Sequence, residues 1–496
     1  MREDYDVDVL VVGAGPAGLT LSIQLARYGI PFRLIDANHA PAMASRGKGV
    51  QPRTQEIFED IGILDDFLAI SGSYPPLRIH AADGSVSERP FNVQVAATSD
   101  IPYPNMLMAP QWQTDAVLRQ GLAAIGGCVE GGCLLERFEA DEDGVTAHVA
   151  SVEGIRTIRA RYLVGTDGGR SAVRRALGIE LRGETLDSPR MLFGDIHVDG
   201  LPSDAWARWP GALGDTGLCP LPHVDVFQLM IPLAPGETPE LTESAAAALF
   251  RERTGNADLR LYDPTWLSIF TPNLRLADRY GDGRVFIAGD AAHVHPPSGA
   301  QGLNTSVQDS YNLGWKLALV LSGKAEPALL DTYEAERRPV GAGVLGLAAS
   351  IQRAGASGGQ VRDRSTQQLD LGYRESRLSM DDGRGERTVR AGDRAPDARI
   401  GEQRLFDLYR GTSFTLLLFG GATVDLPPAD LVRVVELPLD GEAAATYQVD
   451  EPTAILIRPD NYIGLYVSSP APAAVTAYFD ETLGAEYLSQ AAEVRT

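Results

Sequence analysis

The sequence predicts an α/β (α+β) protein in which a parallel sheet is interrupted by a β-rich module and followed by a small C-terminal domain. Three stretches support this fold class, at residues 9–18, 162–171 and 285–304. Each begins with a short apolar run, which is typical of a buried parallel strand. Each then passes through a glycine-containing turn into a helix, so the three stretches fit strand–turn–helix units of one open sheet.

The first unit has the pattern of a dinucleotide-binding βαβ fold. Its strand, residues 9–12, runs into the loop GAGPAG at residues 13–18, and a helix over residues 17–28 and a second strand ending at Asp36 follow. Such a loop lets the backbone approach a pyrophosphate at the helix N-terminus, and the acid can bind the hydroxyls of a ribose. The sequence therefore predicts a Rossmann-type site that includes Gly13, Gly15, Pro16, Ala17, Gly18 and Asp36.

The third unit predicts a second group of ligand contacts. Gly289 and Asp290 follow its strand, at the edge where open α/β sheets place their ligands. Prolines and glycines then force an irregular loop that a flat ligand can approach closely; they are Pro296, Pro297, Gly299 and Gly302. The helix that follows from about Asn304 favours negative charge at its N-terminus. We expect an anionic, hydroxyl-bearing ligand here. The alternative is an ordinary strand-to-helix connection that contains an aspartate by chance.

The middle unit ends its strand at Asp167, and a helix begins at Ser171. Arg170, Arg174 and Arg175 form a basic group beside it. Two interpretations stay open for these arginines. They either meet a nucleotide phosphate or form a solvated helix face.

The remaining chain is read from its periodicity. Residues 181–280 are predicted to be β-rich, because Phe227, Leu229 and Ile231 alternate with other residues as in a half-buried strand. The larger apolar residues of this module either line a cavity or form its core, so none is assigned to a substrate. Residues 355–390 have weak periodicity and predict an irregular connection. A compact α/β segment follows from residue 401.

Composition excludes several classes of protein. With 66 acidic and 44 basic residues the net charge is −22, which argues against a nucleic-acid partner. The sequence has no apolar run long enough to span a membrane and no N-terminal signal peptide, and its three cysteines predict no disulfide framework. We therefore expect a cytoplasmic protein. His293 and His295 lack further clustered ligands, so no metal site is predicted.

The motifs occur in an order that resembles a known family. Residues 13–18 with their acid, Asp167-Gly168 and Gly289-Asp290 resemble the single-component (class A) FAD-dependent aromatic hydroxylases, the family of p-hydroxybenzoate hydroxylase. The similarity covers about residues 5–350 and includes RGKGVQPRTQEIFEDIGILDDF at 46–67 and PQWQTDAVL at 110–118. The C-terminal segment, with AGDRAPDARI at 391–400, looks like the thioredoxin-like domain of phenol hydroxylases and of aromatic-polyketide hydroxylases.

The resemblance implies a division into domains. Residues 1–180 and 281–390 would form the FAD-binding domain, with residues 71–108 contributing to the substrate side. Residues 181–280 would form an inserted β-sheet substrate-binding domain, and residues 391–496 a thioredoxin-like domain. That last segment has no cysteine and cannot perform dithiol chemistry, so we expect a role in packing or oligomerisation. A chain ending near Arg390 is accordingly expected to keep its flavin if it folds, with altered solubility or oligomeric state.

The resemblance also implies which residues contact the cofactors. The N-terminal glycine loop and Asp36 would hold the ADP half of FAD, and Asp290 the ribitol. Asp167 belongs to a motif that serves both FAD and NADPH. The remaining implied cofactor contacts are Arg46, Gln111, Gly289, Pro297, Gly299, Gly302, Leu303 and Asn304. Arg46, Pro296 and Gly302 would form the catalytic environment of the flavin ring, with no protein nucleophile.

The activity implied is that of an NADPH-consuming monooxygenase. It would use dioxygen to hydroxylate a phenolic or polycyclic, polyketide-type aromatic through a C4a-hydroperoxyflavin, in antibiotic biosynthesis. A homodimer is one expected assembly. A Baeyer–Villiger oxygenase on the same fold is the alternative, and a non-catalytic flavin-binding protein is a more distant one. A halogenase is disfavoured, because residues 205–210 read AWARWP and do not form its WxWxIP signature.

Overall fold

The structure is a computed structural model that describes residues 5–186, 189–296, 300–354, 364 and 366–484. Within these residues the α-helices are α1 (Pro16–Arg27), α2 (Pro52–Asp60), α3 (Leu64–Ile70), α4 (Gln111–Ala124), α5 (Ala172–Ala176), α6 (Glu243–Thr254), α7 (Gly302–Leu321), α8 (Asp331–Ala354), α9 (Leu405–Tyr409), α10 (Glu442–Tyr447) and α11 (Ala474–Leu483). Short 3₁₀ turns occur at Gly289–Ala291 and Pro327–Leu330.

The strands of the N-terminal half are β1 (Val7–Val12), β2 (Phe32–Asp36), β3 (Gly49–Val50), β4 (Gly72–Ser73), β5 (Leu77–His80), β6 (Val86–Arg89), β7 (Leu107–Met108), β8 (Val129–Gly131), β9 (Leu134–Ala140), β10 (Val145–Ser151), β11 (Gly154–Gly165), β12 (Leu181–Thr185), β13 (Met191–Asp199), β14 (Trp206–Trp209), β15 (Thr216–Pro220) and β16 (Phe227–Pro232). Those of the C-terminal half are β17 (Arg260–Phe270), β18 (Asn273–Ala277), β19 (Gly281–Asp282), β20 (Val285–Ile287), β21 (His293–Val294), β22 (Met380–Asp381), β23 (Arg399–Ile400), β24 (Gln403–Arg404), β25 (Phe414–Phe419), β26 (Val432–Leu437), β27 (Thr453–Ile457) and β28 (Ile463–Ser468).

The first sheet is built around the three predicted units. Its strand order is β19-β20-β11-β1-β2-β8, and β10 and β9 extend it beyond the N-terminal half of β11. β20, β11, β1, β2 and β8 pair in parallel. The strand residues Val9, Leu10, Val164 and Ile287 are completely buried in one large core, as the short apolar runs predicted. The fold is therefore α/β with a Rossmann-type sheet.

The second sheet has the order β17-β13-β16-β15-β14-β5-β6. One of its faces packs on α6 through an apolar core that includes Phe227 and Phe250. The alternation around Phe227 thus predicted the strand correctly. Strands β5 and β6 at the other edge come from residues 77–89, and β5 pairs in parallel with β14.

The third large sheet lies in the C-terminal region and has the order β22-β28-β27-β25-β26. Its core is shared with the first domain, because Trp315 of α7 packs edge-on against Phe414, with ring centroids 5.8 Å apart. Strand β22 precedes residue 391, so this sheet uses part of the segment that was expected to be irregular. Residues 355–363 and 365 of that segment lie outside the described residues.

Candidate active site

The predicted motifs meet at one edge of the parallel sheet. β20, β11, β1 and β2 are consecutive neighbours, and a motif follows the carboxyl end of each one. Because parallel strands end on the same side, the glycine loop, Asp36, Asp167 and Asp290 all lie along this edge. The sequence predicted their local structure, and the strand order brings them together.

The glycine loop combines tight packing with an open space. A Cβ at Gly13 would lie 2.5 Å from the Thr166 carbonyl oxygen, and one at Gly18 would lie 1.9 Å from the Gly13 carbonyl oxygen. A Cβ at Gly15 would meet nothing within 4 Å. Helix α1 begins directly after Gly15, and no side chain caps its first N–H groups. This geometry suits a phosphate that approaches the backbone at Gly15.

Asp36 and Arg119 fix the Ala14 peptide from two sides. Asp36 Oδ2 accepts a hydrogen bond from the Ala14 amide at 2.7 Å, and Arg119 Nη2 donates to the Ala14 carbonyl at 3.0 Å. The sequence analysis missed Arg119. A signal existed, since Gln111, Asp115 and Arg119 are spaced by four residues on α4 and therefore share one helix face.

Asp115 is an unusual acid on that face. Burial raises its pKa to about 7, and the charge of Arg119 opposes the shift. Its Oδ1 atom is buried and has no hydrogen-bond partner among the described residues. One turn earlier, Gln111 Oε1 accepts a hydrogen bond from the Gly47 amide at 2.8 Å, which holds the segment that carries Arg46.

Asp290 and Arg46 lie close enough to interact electrostatically. The Asp290 side chain is accessible to solvent although protein surrounds it, and this partial desolvation raises its pKa. The charges of His293 and Arg46 act in the opposite direction. Arg46 itself is exposed. An accessible carboxylate beside a guanidinium suits a ligand that bears both hydroxyl and phosphate groups.

The two carboxylate oxygens of Asp167 differ, because one accepts hydrogen bonds from the protein and the other does not. Oδ2 accepts hydrogen bonds from the amides of Ala172 and Val173 at 2.6 and 3.2 Å, which caps α5. Oδ1 is buried without a partner among the described residues, so it has an acceptor left for a ligand.

The neighbouring arginines do not act as one basic group. Arg174 is buried and donates to the carbonyl oxygens of Ala291 and Gly169, at 3.0 and 3.1 Å. The interpretation as a solvated helix face is therefore wrong for this residue, and the phosphate interpretation stays a prediction. Arg170 and Arg175 are exposed.

The start of α7 is tied to the segment that contains Arg46. Asn304 Oδ1 accepts from the Gln51 amide at 2.8 Å, and its Nδ2 donates to the carbonyl oxygens of Gly49 and Ala300. The Asn304 side chain is therefore structural, and its backbone remains the predicted contact. Leu303 lies beside Gly47.

Other predicted contacts lie just before α7. A Cβ at Gly302 would come within 2.8 Å of the His295 ring. Pro296 is buried, whereas Pro297 and Gly299 lie outside the described residues.

The two histidines of this region belong to the protein interior. His293 Nε2 lies 2.7 Å from Asp309 Oδ2, and Arg337 Nε donates to Asp309 Oδ1 at 2.8 Å. The rings of His293 and His295 stack, and burial lowers the pKa of His295 to about 3, so this ring is neutral. In the part of the chain that the structure describes, no three His, Cys, Asp or Glu side chains are grouped to hold a metal.

An aromatic cluster lies between this site and the second sheet. Tyr74 stacks on Phe91 with ring centroids 4.5 Å apart, and Phe91 lies 5.3 Å from Trp206. Met230 and Ala300 pack against the same cluster, and Ala300 links it to the start of α7. The sequence left Met230 unassigned beside Phe227, but the two residues lie on opposite faces of the sheet.

Comparisons with known proteins agree with this geometry. The family described as "FAD binding domain" matches residues 6–348. A flavin-dependent monooxygenase of Mycobacteroides abscessus is 41% identical over 469 residues, which cover 93% of this chain and 97% of that protein. The 12-dehydrotetracycline 5-monooxygenase/anhydrotetracycline 6-monooxygenase of Streptomyces rimosus is 33% identical, over 92% of this chain and 94% of its own.

A solved structure extends the similarity to the whole fold. The ternary complex of aklavinone-11 hydroxylase with FAD and aklavinone superposes with a TM-score of 0.82 at 27% identity, covering 98% of this chain and 100% of that one. FAD needs a pyrophosphate site, acceptors for two sets of hydroxyls and donors near its ring, and the residues along the sheet edge fit these needs. The sequence match and the fold together show that the chain belongs to the FAD binding domain family and is an FAD-dependent monooxygenase.

Proposed function

We propose that this monooxygenase hydroxylates a polycyclic phenolic substrate, with dioxygen as the oxygen source and NADPH as the electron donor. The observation that supports this most directly is the aromatic cluster of Tyr74, Phe91 and Trp206, which adjoins Ala300 near the start of α7. Flat rings already stack in this cluster, so the cluster suits a flat aromatic molecule. The relative from Streptomyces rimosus is a 12-dehydrotetracycline and anhydrotetracycline monooxygenase, and the similar hydroxylase structure holds aklavinone.

The roles of the site residues are part of the proposal. Gly15 and the first turn of α1 would hold the FAD pyrophosphate, Asp36 the adenosine ribose, and Asp290 with Arg46 the ribitol side. The amides at the start of α7 would stabilise negative charge on the flavin ring by about 0.3–1 kcal/mol, or up to about 2 when partly buried. FAD, when bound, supplies the activation of dioxygen. The chain orients the substrate and excludes water.

Residues 181–280 would bind the substrate together with residues 71–108. Strands β5 and β6 support this division, because they extend the same sheet as β13 to β17. The C-terminal segment, from residue 391, would complete the core around α7.

Location and assembly complete the proposal. We propose a cytoplasmic enzyme, since three unpaired cysteines suit a reducing compartment. No helix in the described ranges is both long and apolar enough to cross a bilayer. We propose that a homodimer forms through the end of the first sheet that β9, β10 and β11 build. Leu134 on β9 and Ile155 on β11 both pair with Ala150 on β10, and both are more than half exposed. Light scattering on the purified protein tests the dimer.

Labelled dioxygen tests the reaction. The purified enzyme would be supplied with NADPH and a series of hydroxylated polycyclic aromatics, and the products would be weighed by mass spectrometry. We expect one labelled atom, as a new hydroxyl, for each NADPH consumed in coupled turnover. A labelled ester or lactone oxygen would assign the Baeyer–Villiger reaction instead. Product oxygen that comes from water would refute monooxygenation of the substrate.

A further inference from the structure

The face of the second sheet that looks toward Arg46 carries a row of polar groups. Asp195 on β13 lies directly opposite Gln228 on β16 and Trp266 on β17, and Gln228 lies opposite Cys219 on β15. Gln228 Nε2 donates to the Ser45 carbonyl, which attaches this face to the segment before Arg46. The other face packs on α6 with apolar residues. Polar groups on a buried sheet face need a reason.

Asp195 is the first unsatisfied member of the row. Its side chain is completely buried, and neither carboxylate oxygen has a hydrogen-bond partner among the described residues. The Ser45 hydroxyl and the Trp266 indole N–H lie beside it as long, weak donors that lower its pKa, and neither makes a close hydrogen bond to any described residue. Burial raises the pKa of Asp195, and these neighbours and Lys48 only oppose the shift. Such a group is costly to keep unless something binds it.

Lys48 is the second unsatisfied member. Its ammonium lies 4.2 Å from the centroid of the Trp206 ring, is shielded from solvent, and has no oxygen or nitrogen acceptor at close hydrogen-bond distance among the described residues; the Cys219 thiol is within its reach. It also lies close enough to Cys219 to counteract the rise that burial causes in the pKa of that thiol.

The lysine is unusual for this chain. The sequence contains only three lysines among its 44 basic residues. Lys316 pairs with Glu336 and Lys324 with Asp430, each at 2.7 Å. Of the three lysines, Lys48 alone has no acidic partner within salt-bridge distance among the described residues. A compact ammonium is well suited to a single anionic oxygen.

The distance between the two groups selects a size of ligand. Asp195 and Cys219 lie two strands apart, which is about 10 Å at the usual spacing of strands. Lys48 reaches the Cys219 end of this span. A system of three fused aromatic rings has a comparable length. The stacked rings of Tyr74 and Phe91 pack in the same cluster as Cys219 and Trp206, at the Lys48 end of this span, and Phe91 belongs to the irregular chain between β6 and β7.

We propose that Lys48 and Asp195 determine substrate specificity: Lys48 binds an ionised phenol or enol oxygen at one end of a fused ring system, and Asp195 accepts a hydrogen bond from a hydroxyl at the other end. This inference rests on the proposed function and names the substrate feature that it requires. In this structure Phe91 packs where we expect the fused rings to bind, and the substrate would displace it.

Two dyes test the inference without turnover. 2,6-Dihydroxyanthraquinone carries hydroxyls at both ends of three fused rings, whereas 2-hydroxyanthraquinone carries one, and the visible bands of both shift when a phenol ionises. Each would be titrated against the FAD-loaded enzyme across a range of pH. The variants are Lys48→Met, Lys48→Arg and Asp195→Leu, with Lys324→Met as the surface control. FAD content and melting temperature report whether each variant is folded.

We expect Lys48→Met to weaken both dyes at least tenfold and to abolish their ionisation at neutral pH, and Lys48→Arg to restore both. Asp195→Leu should weaken the dihydroxy dye about tenfold and leave the monohydroxy dye unchanged, and Lys324→Met should change neither. The inference is overturned if folded Lys48→Met binds and ionises the dyes as the original enzyme does. It is also overturned if Asp195→Leu affects both dyes equally, or if the original enzyme binds neither. The labelled-oxygen experiment is independent, so normal hydroxylation with any of these outcomes would refute this inference alone.

Discussion

Two regions of this molecule bury charged side chains in opposite ways. Between α7, α8 and the C-terminal sheet, Glu336 accepts hydrogen bonds from Lys316, Arg458, Asn312 and Ser376 at 2.7 Å each. On the face of the second sheet, Lys48 and Asp195 are also buried, yet they have no such partners among the described residues. Burying a charge has the same physical cost in both places.

The difference shows what each region is for. The first region balances its charges internally, so it holds two parts of the chain together. Arg53 continues this network, because it pairs with Glu56 and donates to the Asp460 carbonyl, while Glu56 also pairs with Arg394. The second region leaves Lys48 and Asp195 without such partners, and we infer that a ligand provides them. Five predictions test this contrast, from the largest expected effect to the smallest.

Removing the C-terminal region should have the largest effect. A chain ending at Arg390 would lose Arg458 and Arg394 and would expose the Trp315 side of α7. We therefore expect aggregated or unfolded protein without FAD, measured by gel filtration and flavin absorbance. This reverses the expectation from sequence, which treated the cysteine-free segment as dispensable. A monomeric, folded, yellow truncated protein would show that the interface is not required.

Breaking the paired network at one residue should come next. Glu336→Gln removes the negative charge between Lys316 and Arg458, and a broken buried pair typically costs about 3–5 kcal/mol. Chemical denaturation would measure the loss. Lys324→Met is the matched control, since its partner Asp430 is mostly exposed and such pairs contribute about 0–1 kcal/mol. Equal losses in the two variants would contradict the contrast.

The same carboxylate should make stability depend on acid pH. Burial alone would raise the pKa of Glu336, but Arg458 and Lys316 hold it below its ordinary value of 4.5. The stabilisation is therefore fully present above pH 4.5 and is lost as the pH falls through the lower pKa of the folded state. Burial lowers the pKa of Lys316 to about 8, so the ammonium stays charged throughout this acid range.

Denaturation at several pH values from neutral to acid would measure this dependence. In Glu336→Gln the slope should become smaller. An unchanged slope would assign the acid sensitivity to other groups.

The glycine loop contains one tightly packed glycine and one that faces open space. Gly18→Ala would drive a methyl group into the Gly13 carbonyl and should destabilise the FAD-free protein by about 1–3 kcal/mol or more. Gly15→Ala meets open space at an ordinary φ of −81°, so its stability should change by less than about 0.5 kcal/mol. Its FAD affinity should nevertheless fall about tenfold or more, equal to about 1.4 kcal/mol. Fluorescence titration with FAD measures this, and unchanged affinity would mean that the phosphate lies elsewhere.

Asp195→Leu should have the smallest effect on stability. Leucine has nearly the same shape, and replacing an unpartnered buried carboxyl by an apolar group is typically neutral or stabilising. We expect the free energy of unfolding of the ligand-free protein to stay within about 1 kcal/mol or to rise. A large loss in the same denaturation assay would show that Asp195 has a structural partner.

Local patterns predicted the strand ends along the first sheet better than the polar face of the second sheet. The glycine loop and the acids after β1, β2, β11 and β20 are readable because a strand, its turn and its helix are contiguous in sequence. Lys48 and Asp195 could not be paired in this way, because only the registers of the second sheet and the fold of the segment around Ser45 bring them near each other. Arg174 misled the sequence analysis, since its burial against the Ala291 carbonyl depends on tertiary packing.

The edge of the second sheet has a consequence for making hybrid enzymes. Trp206 and Ala207 on β14 are in register with Leu77 and Arg78 on β5, so this edge belongs to two distant parts of the chain. Exchanging residues 181–280 between relatives would place a foreign β14, with a foreign residue at position 206, against the original β5 and the original Tyr74 ring. A working graft must carry both pieces, residues 71–108 and 181–280, across together. If residues 71–108 and 181–280 bind the substrate as proposed, substrate specificity depends on two coupled segments of the chain.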